Sequence, residues 1–312
     1  MKTNGRDLPR KITLSCLVIL TIATACQPGA ADEPDDGETQ LEVFNNGRGK
    51  IAFAAQQNKG DAYNIHYINA ETRKVYQVTE SDFAEIAPSI EPDGNRLVFS
   101  SNQLGTYDLY LIHMPDGEPG LVTTTSSDET EPCFSPNGSM IAYQSNAYGD
   151  YDIFLIEADG GAAKRLTEED SQETQASWSP DGSRLAFVSD RDGDFEIFTM
   201  AIDGSDVQQV TSNSFYDAAP VWSPNGMQIA FISRRGQHFQ LFLHDLATGM
   251  ESQLVETQST QHSPAWSPDG KYLAFIADGE EMSQILVLDV ADGEIYQLIE
   301  GYYRYAGLSW VP

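Results

Sequence analysis

All four tryptophans of the chain stand 44 residues apart, at Trp178, Trp222, Trp266 and Trp310, and each opens nearly the same phrase: SWSPDG over 177–182, VWSPNG over 221–226, AWSPDG over 265–270 and SWVP over 309–312. The same interval upstream reaches Phe134 in FSPNG and Ile90 in IEPDG, so prolines recur at 92, 136, 180, 224, 268 and 312 without slippage. Six in-register copies of a unit this long constrain the fold strongly, because each unit must bury its apolar face against its neighbours.

After each turn comes an apolar triplet: Leu97–Phe99, Ile141–Tyr143, Leu185–Phe187, Ile229–Phe231, Leu273–Phe275 and, 46 residues ahead of the first, Ile51–Phe53. A second strand-like set follows at Asp108–Ile112, Asp152–Ile156, Glu196–Met200, Gln240–His244 and Gln284–Leu288, and a third ends near Thr79, Thr167 and Thr211. These runs are of strand length and bounded by turn signals. Asp-Gly and Asn-Gly pairs at 93, 137, 181, 225 and 269 suit tight hairpins that need positive φ. Four short strands per repeat make a propeller blade, so the chain is expected to be all-β, a six-bladed β-propeller of four-stranded antiparallel blades. The tryptophan then serves as a wedge between blades, and truncating a buried one would cost about 3–5 kcal/mol.

The ends predict how the ring closes. Ile51 to Thr79 supplies three strands without a first strand of its own, while Gly307 to Pro312 is a first strand with nothing after it. Joining them completes one blade and removes the open edges at the seam. The competing arrangement puts Glu42 to Asn46 in front of Ile51, with Phe44 at the tryptophan position.

WSPDG followed by an LAF-type strand, ending in a lone WSP-like strand, resembles the TolB-like propellers built of WD40-like PD40 repeats. The resemblance covers about Leu41 to Pro312 and implies the fold strongly and a function only weakly. It implies an envelope protein or peptide as partner. TolB itself carries an α/β domain ahead of its propeller, for which this sequence leaves no room, so the resemblance does not by itself carry a Tol-Pal role.

Residues 1–25 read as a secretion signal: a basic start at Lys2, Arg6, Arg10 and Lys11, then an apolar stretch from Ile12 to Ala25, too short for a comfortable membrane span. Ala23, Thr24 and Ala25 before Cys26 resemble a bacterial lipobox, which makes Cys26 the candidate lipidated N-terminus; Ala23 replaces the usual leucine, so ordinary signal cleavage stays open. Residues 26–40 form an acidic tether with no aromatic residue, and 41–312 the propeller. The protein is therefore expected to be exported and lipid-anchored in the cell envelope, touching membrane through that anchor only. Without residues 1–25 the chain has 14 basic and 46 acidic residues, a net charge of −32. Such a surface repels nucleic acid and favours a soluble monomer with cationic partners.

Catalytic hardware is missing from the sequence: there is no GxSxG elbow, HExxH, Walker loop, GxGxxG or CxxC. His66, His113, His238, His244 and His262 fall at unrelated places in the repeat, and Cys133 occupies a slot that other blades fill with small residues. DRDGDFE at 190–196 departs from calcium-loop order and matches the turn between second and third strands. A non-catalytic binding module is the primary reading. The alternative is a propeller hydrolase or lyase with a channel-mouth site, metal-dependent in some such enzymes.

Candidate binding residues come from the position seven before each repeat proline: Glu85, Glu129, Glu173, Asp217, Gln261 and Tyr305. By strand order this position lies on one rim of the central channel. Carboxylates about 8 Å apart there would repel by roughly 0.5–2 kcal/mol per pair, which a divalent cation such as calcium, or a basic side chain of a partner, would relieve. Aromatic residues share these loops, among them Phe215, Tyr216 and Tyr303, as in protein or peptide contact surfaces.

Overall fold

The computed structural model describes residues 47–299 and 301–312, together with Phe44 and the backbone of Thr13–Leu14. Six four-stranded antiparallel sheets follow one another around a ring, and in five of them the strand order runs in sequence from the inside outward. Blade 1 combines Arg304–Val311 with Lys50–Gln56, Asn64–Asn69 and Val75–Gln77. The inner strands of blades 2 to 6 are Glu85–Ile90, Glu129–Phe134, Glu173–Trp178, Asp217–Trp222 and Thr260–Trp266. The outermost strands are short, only two residues long in blades 2, 3 and 4. Thr13–Leu14 pairs in parallel with Glu256–Thr257, outside the ring. Among the described residues no helix is long and apolar enough to cross a membrane.

The apolar triplets become the second strand of each blade, where both faces of the sheet are covered by neighbouring blades. Phe53, Phe99, Phe187, Phe231 and Phe275 occupy one register and are among the largest fully buried side chains. Three of them pack on an aromatic of the next strand, Phe99 and Phe187 stacked on Tyr110 and Phe198 and Phe231 tilted against Phe242, each with ring centres 5.9 Å apart. Three of the four tryptophans act as wedges with a polar anchor, the buried Nε1 of Trp222 having no hydrogen-bond partner. Trp178 Nε1 donates to Cys133 O at 3.1 Å, Trp266 Nε1 to Val221 O at 3.3 Å and Trp310 Nε1 to Arg48 O at 2.8 Å, so the first two fasten their blade to the inner strand of the one before. Ser89 and Ser309, in the small-residue slot beside that position, accept the backbone N–H of Phe134 and Ile90 across the blade boundary. Cys133 fills the same slot in blade 3; burial pushes its thiol up to about 12, and its Sγ donates to Ala176 O.

Closure uses the C-terminal strand. Lys50 to Gln56 pairs antiparallel with Val311 back to Arg304. Phe44 does not occupy a tryptophan position; its N–H donates to Gln297 O, and its ring meets Tyr272, Tyr296 and Trp310 edge-on or tilted, closing the gap between blades 6 and 1 from outside.

The inner strands share one irregularity. Ala87, Glu131, Gln175, Ala219, Ser263 and Gly307 have φ between 49° and 59°, and each lies where the pairing with the second strand shifts register. Such a bulge adds twist to the strand nearest the axis, where the ring is narrowest. Five of these residues carry a Cβ, and a left-handed conformation costs each about 1–3 kcal/mol, which the surrounding packing must offset.

The seam supplies a test of closure. Gly49 has φ +86°, and a Cβ there would lie 1.9 Å from Val311 O, whereas Gly160, with φ +87°, faces open space. Gly49→Ala should therefore lower the thermal midpoint far more than Gly160→Ala, whose cost is the backbone conformation alone, about 1 kcal/mol. Equal losses in calorimetry would mean that the seam does not hold the ring.

Candidate functional site

One face of the ring carries the loops that join second to third strands and those that carry the chain from one blade to the next. The sequence-predicted positions all fall at this face, but the structure turns most of them inward. Glu85, Glu129, Glu173, Asp217, Gln261 and Tyr305 are all buried. Each carboxylate among them bonds within its own blade and loop and does not point at its neighbours across the channel mouth. Thr125 Oγ1 and Ser145 Oγ donate to Glu129 Oε1 at 2.6 and 2.9 Å. Ser171, Ser189 and Arg191 converge on Glu173 Oε1, and Asn213 Nδ2 donates to Asp217 Oδ2 at 2.8 Å. Gln261 Oε1 accepts the N–H of Leu241, and Tyr305 packs edge-on to Phe53 and Tyr302.

A second set of polar side chains, at the start of each third strand, completes these fasteners. Asn64, Asp108, Glu196 and Gln240 accept backbone N–H groups of the loops leading to the next blade, from Ser81, Thr125, Asn213 and Thr257. Threonines 79, 123, 167 and 211 accept the N–H of Ile65, Leu109, Ile153 and Ile197 at the same level. The inter-blade loops are thus held by side chains that the repeat places in register, which makes the face rigid.

Burial raises the carboxyls of Glu85, Glu129 and Glu173 above the ordinary range, with hydroxyl donors opposing it. Glu196 is pushed up to about 7, by burial first and by the charges of Asp217 and Asp194 as well, against the hydrogen bonds from Thr211 and Asn213. One buried oxygen on each of Glu85, Glu129, Glu173 and Asp217 has no hydrogen-bond partner. For the three glutamates this fits carboxyls that hold a proton readily. Among the described residues no three metal-ligating side chains come together.

Glu131, which sequence reasoning passed over, and His262 lie on opposite blades close enough for their charges to interact across the channel. Glu131, a bulge residue of blade 3, is half-buried; desolvation raises its carboxyl while the charge of His262, on the opposite blade 6, lowers it. His262 also meets Asp278 at 3.5 Å and Ser263 at 3.0 Å. Glu131 lies two residues beyond the position on which the repeat pattern drew attention, and no other blade has an acid there, so periodicity gave no signal for it.

Of the predicted aromatics, Phe215 and Tyr216 are exposed and Tyr303 is half-buried under Arg304. Phe215, Tyr216 and Tyr303 therefore form the accessible part of the predicted set, and the acids, Gln261 and Tyr305 its internal bracing.

A closed ring of six four-stranded antiparallel blades defines the class as a β-propeller. The sequence profile of TolB β-propeller domains matches residues 43–151, 132–258 and 218–312. The chain belongs to that family. No curated protein matches it in sequence. Among solved structures, TolB from Acinetobacter baumannii superposes with a TM-score of 0.76 at 21% identity over 88% of this chain and 69% of that one. A TolB-like protein from Agrobacterium tumefaciens gives 0.67 at 23% over 81% and 88%. An oligogalacturonate lyase from Vibrio parahaemolyticus gives 0.58 at 14% over 86% of each chain. At these identities the likeness is one of fold.

The raised carboxyls predict how stability follows pH. A carboxyl with a raised pKa in the folded protein stabilises it fully below the unfolded value near 4.5, and that contribution is lost as the pH rises through the folded value, about 7 for Glu196. The thermal midpoint should thus rise by roughly 2–6 °C between pH 8 and pH 5, each pKa unit corresponding to about 1.4 kcal/mol. Asp181, held down to about 2 chiefly by the N–H of Ser183, acts in the opposite sense only below this window. Glu196→Gln should flatten the profile near pH 7; an unchanged slope would remove Glu196 as its source.

Proposed function

We propose that this protein is an exported, lipid-anchored binding module of the cell envelope, non-catalytic, that recognises a protein or peptide through the loop face of its propeller. Export and anchoring rest on the basic and apolar leader and on Cys26, which, apart from the backbone of Thr13–Leu14, lie outside the described residues. The observation that carries the recognition is the division of labour at the face: buried acids lock the inter-blade loops, and aromatic side chains stand exposed on them. Rigid aromatic anchors lose little conformational entropy on binding, which is why they dominate contact surfaces. Membership of the TolB propeller family supports a partner within the envelope.

In this reading Phe215, Tyr216 and Tyr303 touch the partner, while Glu85, Glu129, Glu173, Asp217, Gln261 and Tyr305 position the loops that present them. The full-length protein should form a defined adduct when cross-linked in envelope fractions, and a Phe215→Ser, Tyr216→Ser double variant should reduce its yield at least about tenfold, as expected on loss of two anchors. An unchanged yield from a variant that still melts like the parent would overturn the assignment of the face.

A further inference from the structure

The boundary between blades 5 and 6 departs from the repeat in one consistent respect. The three boundaries before it each bring together two acids in register, Asp108 with Glu129, Asp152 with Glu173 and Glu196 with Asp217. Here the same two positions are Gln240 and Gln261, with Gln261 Nε2 donating to Gln240 Oε1 at 3.4 Å. His238 likewise stands where the two preceding blades have Asp150 and Asp194. The fastening role survives the exchange. Gln240 Oε1 accepts the N–H of Thr257, and its Nε2 donates to the carbonyls of Phe239 and Ser259. What the exchange removes is negative charge.

Gln240 also lines a cavity of about 280 Å³ between the loop after the second strand of blade 5 and the loop that leads to blade 6. Small-ligand pockets span about 300–1,000 Å³ and are mostly apolar, so this one has room for a small molecule and is unusual in its lining. Its one apolar side chain among the described residues is Phe242, which is buried and lies under the Arg235 guanidinium, 4.0 Å from the ring centre. The rest is hydrogen-bonding surface. Glu256 and Gln258 are exposed, and neither side chain has a hydrogen-bond or ion-pair partner among the described residues. Gln253 spends one N–H on Val255 O and keeps its Oε1. Arg235 donates from Nε to Ser233 and pairs with Glu251, which matches its charge and leaves N–H groups on the other edge of the fork. The charged lining residues, Arg235 and Glu256, are opposite in sign, and Asp190, Asp192 and Asp194 of the preceding blade do not line the cavity.

Planar amide, carboxylate and guanidinium edges suit adjacent hydroxyl groups, because each hydroxyl both donates and accepts, and two on neighbouring carbons reach two atoms of one planar group. An anionic ligand would meet Glu256 and a cationic one Arg235, whereas a neutral ligand meets neither charge unfavourably. We propose that this cavity binds a neutral carbohydrate unit of one or two sugar rings, whose hydroxyls donate to Glu256 and Gln253 and accept from Gln258 and Arg235. The site adjoins the aromatic surface, with Arg235 5.5 Å from the Phe215 ring, but it stands whether or not that surface contacts a protein.

The backbone of Thr13–Leu14 pairs with Glu256–Thr257 along one wall, so a chain that keeps its leader has this edge covered. The test therefore uses protein extracted from envelope fractions with the N-terminus it carries there. Saturation-transfer NMR would follow four neutral disaccharides, maltose, cellobiose, lactose and N,N′-diacetylchitobiose, with digalacturonate as the anionic probe and deacetylated chitobiose as the cationic one. At least one neutral disaccharide should bind saturably and more tightly than either charged probe. Glu256→Ala should weaken that binding about tenfold and Gln258→Ala about threefold, as expected on loss of a charged and a neutral hydrogen bond. Asp170→Ala, at the register position of Gln258 two boundaries earlier, should leave it unchanged. Binding of no neutral disaccharide would overturn the proposal and leave the cavity to water. Tighter binding of a charged probe would overturn it in favour of an ion site, and neutral binding that survives both Glu256→Ala and Gln258→Ala would overturn it by placing the sugar elsewhere.

Discussion

The ring exists because residues 304–311 pair with residues 50–56, the last strand of the chain with the first of the propeller. Blades stack only on their neighbours, so an open arc of six would leave two apolar sheet faces and a row of unpaired backbone groups in water. Closure removes both at once and makes each blade's packing depend on all the others. Gly49 lets the chain pass the carbonyl of Val311 too closely for any side chain, and Phe44 covers the outside of the join. The seam therefore has dedicated residues that no other blade boundary needs.

Within this ring the inner strands are the strained element. Six bulges with positive φ crowd the axis, and the Cβ that Gly307 lacks would approach Ala87 Cα to 2.9 Å. Bonds from blade to blade brace the same region: Gln175 Oε1 accepts the N–H of Ala219, and Gln144 Oε1 that of Gln175. Just above, the buried acids and threonines fix the loops. Burying carboxylates is costly unless they are well bonded or protonated, and the raised affinity of Glu85, Glu129, Glu173 and Glu196 for protons is the sign that this cost is only partly offset. Their return is a face whose loops hold one conformation.

A rigid face can then differ from sector to sector without disturbing the fold, because the loops point away from the blade cores. Acids crowd the loop between blades 3 and 4, while that between blades 4 and 5 exposes Phe215 and Tyr216. Recognition on such a scaffold depends on which side chains reach solvent, and the net charge of the chain is a poor guide to any one sector.

The fold was almost wholly legible in the sequence, since a 44-residue period fixes blade number, the SPDG and SPNG turns fix the hairpins, and a three-stranded start with a one-stranded end fixes closure. The candidate site was legible only in part. The period located the loop face and its residues, but it presented Glu129, Glu173 and Asp217 as rim charges, and the structure buries them as fasteners. Strand alternation does not say which way a terminal side chain turns. Only the tertiary structure decided that, by bringing Ser145, Ser189 and Asn213 within hydrogen-bond reach, and by setting Glu131 opposite His262 across a channel that no local pattern describes. Repeats encode the contacts each blade makes in common with the others; a pair formed across the axis belongs to single copies and emerges when the ring closes.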